Sequence, residues 1–214
     1  MGAADHVIGN IEELRTLYRE PTAFVRRKKF AGIDAASRAL VESSPFVLVG
    51  TCGVDGGVDV SPRGGDPGFV RVLDDVHLAI PDLNGNNLLD SYTAVVQTGR
   101  AGLLFVLPGR DETLRVNGAA WLTTDPDVLG SFEGIRTPKA ALVVRADEVF
   151  VHCGKSFRRG RVWDTTSWTD LTGVPGLEAI VCAQGLVDVP AEVIRADLER
   201  SYAADLALDR PTDE

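Results

Sequence analysis

From Phe46 to Val151, short apolar runs alternate with tight-turn residues, and one helix-length segment interrupts them. That spacing leaves little room for parallel βαβ units, because each needs a crossover of a dozen residues or more. Phe46-Val47-Leu48-Val49-Gly50-Thr51 reads as a buried strand, and Asp55-Gly56-Gly57 supplies the residues of a hairpin turn. Val58-Asp59-Val60 resumes with alternation, Ser61 to Gly68 reads as a glycine-proline loop, and Val76 to Ile80 is a strand closed by Pro81-Asp82. Asn86 to Gln97 reads as the interrupting helix, with Asn86 or Asn87 near its start. Ala101 to Leu107, Thr113 to Thr123 and Ala140 to Val151 complete six strand candidates. Six strands joined mostly by short turns predict a mainly β fold with flanking helices, arranged as an antiparallel barrel.

The flanks read differently. Asn10 before Ile11-Glu12-Glu13 caps a first helix, and a second runs from near Asp34 to Val41 before Ser43-Ser44-Pro45 breaks it. Pro190 to Leu206 carries Val193, Ile194, Leu198, Tyr202 and Leu206 near one helical face. The 214 residues fit a single domain with a helical segment at 1–44, a core at 45–164 and a helical extension at 165–214. Disorder is expected only at the tips, Met1 to Val7 and Asp209 to Glu214.

With 22 basic and 31 acidic residues, the formal charge of −9 repels nucleic acid and anionic membranes. Basic clusters at Arg26-Arg27-Lys28-Lys29 and at Lys155, Arg158, Arg159 and Arg161 are local exceptions, the second one beside aromatic residues. Cys52, Cys153 and Cys182 have no zinc or redox spacing and read as small buried hydrophobes. With neither a signal peptide nor a membrane-spanning run evident, a cytoplasmic location is the expectation.

Dinucleotide and phosphate-loop fingerprints, a nucleophile elbow and a zinc helix motif are all missing from the sequence. His6, His77 and His152 are too dispersed to predict a metal site. What remains is a series of elements suited to an anionic, planar ligand. In Ser61-Pro62-Arg63-Gly64-Gly65, glycines admit a ligand close to the backbone, and the arginine offers a planar fork to phosphate. Pro81-Asp82-Leu83-Asn84-Gly85-Asn86-Asn87 leads into a helix with amide side chains near its start. Leu114-Arg115-Val116-Asn117-Gly118 places a cation and an amide within a strand. Each reading has a plain structural alternative: a loop, an asparagine cap or a solvated strand edge.

Taken in order, Ser-Pro-Arg, Ile-Pro-Asp, Gly-Asn-Asn, Gly-Leu-Leu-Phe and Leu-Arg-Val-Asn-Gly resemble the pyridoxamine 5′-phosphate oxidase superfamily, in particular a bacterial FMN-dependent branch. The resemblance covers approximately Pro45 to Trp163 and implies an antiparallel FMN-binding split β-barrel. It also implies a homodimer that exchanges electrons with a small-molecule substrate or donor. By the same resemblance Ser61 and Arg63 contact the phosphate or ribityl chain, and Pro81 and Asp82 lie beside the isoalloxazine ring. Asn86 and Asn87 occupy the place of a basic pair, so they can hydrogen-bond a phosphate without neutralising it. Lys155, Arg161 and Trp163 match a segment that reaches the neighbouring subunit's flavin. Arg115, Lys155 and Arg161 are the candidate cations for the flavin's pyrimidine edge. The competing expectation is a flavin-, deazaflavin- or haem-binding protein without turnover, in which His77 or His152 would ligate haem. A dimer that has lost its cofactor is the third.

Overall fold

In the computed structural model, which describes residues 6–211, the segment read as strands forms eight antiparallel strands flanked by helices. Of the tips expected to be disordered, 1–7 and 209–214, residues 1–5 and 212–214 lie outside that description, whereas Asp209 caps the last helix and is hydrogen-bonded to Asn84, contrary to that expectation. The strands are β1 (Phe46–Cys52), β2 (Val58–Gly64), β3 (Arg71–Val72), β4 (His77–Pro81), β5 (Arg100–Val106), β6 (Thr113–Thr123), β7 (Ala141–Arg145) and β8 (Glu148–His152). They pair in the order β2-β1-β5-β6-β7-β4-β3, with β8 also on β6. The helices, numbered along the chain, are α1 (Ile11–Leu17), α2 (Ala23–Arg27), α3 (Ala35–Ser43), α4 (Asp90–Thr98), the short α5 (Pro126–Gly130), α6 (Lys155–Gly160), α7 (Leu177–Ala183) and α8 (Ala191–Leu208). The result is a split barrel whose sheet runs from edge β2 to edge β3.

The long strand β6 joins the two halves. Its residues 113–119 pair with β5 and 113–117 with β8, while 120–123 pair with β7. Between the β7 and β8 registers the partner chain gains one residue, a bulge at Arg145-Ala146-Asp147 opposite Gly118 and Ala119. The stretch from Ala140 to Val151 is therefore two strands rather than one. Asp147 braces the bulge: its carboxylate accepts from the Ala119 N–H at 3.1 Å and pairs with Arg145 at 2.6 Å and Arg100 at 3.2 Å. The Arg145 pairing, above all, holds the Asp147 carboxyl below its ordinary range.

Two further readings are corrected. Strand β2 continues through Ser61-Pro62-Arg63-Gly64 instead of ending at Val60. An edge strand paired only with β1 tolerates Pro62, which has no N–H to offer. The helix after β4 begins at Asp90, not Asn86, as α4 (Asp90–Thr98); Asn87 and Leu89 take left-handed φ values of 57° and 62°, which no helix can propagate.

Alternation on the strands builds the core. Val47, Val49, Leu103, Phe105, Leu114 and Val116 point inward and are covered by Val41 of an Asp34-capped helix, α3 (Ala35–Ser43), and by Tyr92 and Val95 of α4. On the opposite face no helix among the described residues covers Leu48, Val60 and Leu104, and Gly50 and Gly102 leave a shallow groove of about 240 Å³ between them. The cysteines are not core residues: Cys52 and Cys153 are exposed and Cys182 is half-buried. The chain ends in a hairpin of α7 (Leu177–Ala183) and α8 (Ala191–Leu208). Among the described residues no helix is long and apolar enough to cross a membrane.

Candidate functional site

Period-two geometry places Asp59, Ser61 and Arg63 on one face of β2, half-buried, while Val58, Val60 and Pro62 face outward. Those three side chains open onto a cavity of about 790 Å³, a size typical of small-molecule sites. Its walls bring together β2, the Pro81–Tyr92 segment, the connection around Arg136 and the end of α8. Six expected binding residues therefore share one cavity: Ser61, Arg63, Pro81, Asp82, Asn86 and Asn87.

The Arg63 guanidinium donates to the Ser61 hydroxyl and, at 2.8 Å, to the Pro62 carbonyl, and its carbon lies 5.6 Å from the Tyr92 ring centre. Both hydrogen-bond partners are neutral, so its positive charge has no carboxylate partner within 4 Å among the described residues. Asp59 is engaged elsewhere, accepting from the buried Ser91 hydroxyl at 2.5 Å. Burial first, then the negative charge of Asp82, pushes the Tyr92 phenol up to about 12, with Arg63 pulling the other way. Tyr92 thus stays protonated through the neutral range and can offer a hydrogen to an acceptor in the cavity. Asn86 turns its side-chain oxygen back to the Leu88 N–H at 3.0 Å, which shapes the loop that carries Asn87.

Four expected residues are not in this cavity. Arg115 stands on the uncovered face of the sheet, 5.5 Å from the Phe150 ring, which Lys28 and Lys29 also approach at 5.0 and 5.1 Å. Lys155 opens the short helix α6 (Lys155–Gly160); Arg161 pairs with Asp164 at 2.5 Å. Trp163 donates to the Arg110 carbonyl at 2.7 Å and stacks on Phe157. Of the two histidines considered for haem, His77 is bonded to Asp74 at 2.8 Å and packed edge-on to Trp121. His152 has a buried Nδ1 without a partner among the described residues, and burial, followed by Arg115 and Lys28, lowers its pKa.

Sequence reasoning missed Tyr92, Arg136, Lys139, Asp209 and Arg210, all of which line the cavity. Tyr92 carries no motif of its own in the sequence, and Asp209-Arg210 fall at the start of the tail expected to be disordered. Only the fold brings them together: Asp209 accepts from the Asn84 backbone and side-chain N–H groups at 2.9 and 2.7 Å. Its carbonyl accepts from the Arg136 N–H at 2.9 Å.

A sequence model of the pyridoxamine 5′-phosphate oxidase family matches residues 33–153, more than half of the chain. No curated protein matches it. Among solved structures, HupZ from Group A Streptococcus is similar at 17% identity and a TM-score of 0.45, over 56% of this chain and 93% of that one. An FMN-binding protein from Syntrophomonas wolfei is similar at 13% identity and a TM-score of 0.35, over 53% and 86%. The haem storage protein HutZ from Vibrio cholerae is similar at 7% identity and a TM-score of 0.40, over 56% and 94%.

Proposed function

The chain belongs to the pyridoxamine 5′-phosphate oxidase family, and from that premise we propose that it is an FMN-dependent oxidoreductase whose cofactor occupies the cavity beside Arg63. The observation that carries this reading is the convergence of Ser61, Arg63, Pro81, Asp82, Asn86 and Asn87 on one cavity. The donor set suits a flavin mononucleotide: a hydroxyl and a guanidinium with no carboxylate partner among the described residues for the phosphate end, and amide and phenol donors for polar edges. Bound FMN would supply the electron exchange with a small-molecule substrate. The protein's part is to hold and orient it. Arg63 holds the phosphate, the Pro81-Asp82 backbone borders the ring, and Tyr92 keeps its proton available for hydrogen bonding.

The same reading includes a homodimer. Leu48, Val60 and Leu104 around Gly50 and Gly102 form a sheet face that a second copy, related by a two-fold axis, would cover. Arg115, on that face, and Lys155, Arg161 and Trp163, outside their own chain's cavity, would then act on the partner's site. Light scattering with simultaneous visible absorption, on protein incubated with FMN and passed through a sizing column, tests both points. A mass of two chains carrying the paired flavin bands is expected. A monomer that carries flavin would remove the shared site, and a sharp Soret band with no flavin bands would favour a haem-binding protein instead.

A further inference from the structure

The charged side chains around the cavity are divided between its walls. Asp59 and Arg63 belong to β2, Asp66 to the loop after it and Asp82 to the segment between β4 and α4, and Asp90 opens α4, so this side carries four acids and one cation. Arg136 and Lys139 belong to the connection before β7, and Arg210 follows α8. The one acid on that second side, Asp209, is occupied by its two hydrogen bonds from Asn84. Arg136, Lys139 and Arg210 form no side-chain hydrogen bond and no ion pair among the described residues, although each lines the cavity. Three cations without partners at one wall repel one another unless an anion joins them. Their placement is built: the Asp209 carbonyl receives the Arg136 N–H at 2.9 Å, which ties the end of α8 to the Arg136 connection 73 residues earlier in the chain.

We propose that Arg136, Lys139 and Arg210 form a phosphomonoester-binding wall, with Asp209 as the positioning residue that assembles it. The proposal rests on the reading that the cavity takes a ligand, and it assigns to this wall the charge that Asn86 and Asn87 cannot supply. A phosphomonoester carries up to two negative charges near neutral pH, so Arg63 alone leaves one unmatched. Two sources share that chemistry: the phosphate of FMN itself, and a phosphorylated second ligand bound beside it.

The test compares wild type with R136Q/K139Q/R210Q, measuring dissociation constants for FMN, riboflavin and inorganic phosphate. Because the three side chains have no hydrogen-bond or ion-pair partner among the described residues, the variant should keep the wild-type melting temperature. The expected result is FMN weakened roughly tenfold or more, with riboflavin changed less than about twofold. That outcome makes the flavin's phosphate the occupant. Unchanged FMN with lost phosphate binding to the FMN-loaded protein supports the wall and assigns it to a second ligand. If wild type binds no flavin, phosphate titrated into the bare protein reads the wall by itself, and loss of that binding in the variant still supports it. The charge-retaining R136K/R210K should stay close to wild type. FMN and phosphate affinities that are both unaffected by the triple substitution, or wild-type protein that binds neither, overturn the proposal.

Discussion

Gly118→Ala is expected to destabilise the protein by about 3 kcal/mol or more, because the added methyl has no room that side chains could yield. A Cβ at Gly118 would fall on the Arg145 carbonyl oxygen and come within 3.0 Å of the Arg145 carbonyl carbon and the Asp147 nitrogen. All three atoms are backbone of the bulge that separates β7 from β8. Relief therefore requires the bulge to lift, which strains the Asp147 bonds to Arg145 and to the Ala119 N–H. It also strains the Ala146 contacts, since its N–H donates to the Val76 carbonyl at 2.7 Å and its carbonyl accepts from Gly32 at 2.9 Å. For a chain of this size the loss corresponds to a fall in melting temperature of roughly 6–12 °C. A thermal melt of the variant within about 2 °C of wild type would mean that β6 is not crossed there. Gly102→Ala, whose Cβ would meet the Asn117 side-chain oxygen at 3.0 Å, tests a milder case in the same sheet.

Arg63→Ala should weaken FMN by roughly tenfold to a hundredfold, the net loss of about one charge-assisted bond at about 1.5–3 kcal/mol. Each factor of ten is about 1.4 kcal/mol. Riboflavin, which lacks the phosphate, should be affected far less. The bland alternative is that Arg63 merely braces its loop by pairing with Asp59 or Asp66. Against it, Arg63 sits on a strand, its hydrogen-bond partners are the neutral Ser61 hydroxyl and Pro62 carbonyl, and Asp59 is held by Ser91. Dissociation constants for FMN and riboflavin, on both wild type and variant, decide between the two. A lower melting temperature with an unaltered FMN-to-riboflavin preference would assign Arg63 a bracing role.

The fold was legible where local pattern and tertiary environment agree. Thr113 to Thr123 is one strand from end to end, alternating from Leu114 to Trp121, and Asp34 caps α3 through the Ser37 N–H at 2.7 Å. It was not legible where context overrides propensity. Pro62 looks like a loop residue, and only the strand's position at the sheet edge lets it remain in β2. Asn86 and Asn87 look like a helix cap, yet left-handed backbone at Asn87 and Leu89 delays the helix to Asp90. The bulge at Arg145-Asp147 leaves no local mark, because it depends on which strands flank β6.

The site divides in the same way. Ser61, Arg63, Pro81 and Asp82 could be named from the sequence because proline-glycine punctuation and the order of the motifs single them out, and the fold places all four along the cavity. Arg136, Lys139 and Arg210 carry no such signal: each is an isolated cation in an irregular stretch. They become a group only through the Asp209 contacts to Asn84 and Arg136. Arg115 was named for the flavin's pyrimidine edge, and Lys155, Arg161 and Trp163 for the neighbouring subunit's flavin; all four lie outside their own chain's cavity.

The most direct test of a mononucleotide flavin site is titration of the bare protein with FMN and with FAD under identical conditions, followed by flavin fluorescence. The cavity ends at the wall of Arg136 and α8, and the sequence lacks the fingerprint that holds a second phosphate and adenosine. FMN should bind with the lower dissociation constant. Equal or tighter binding of FAD would contradict the site as described.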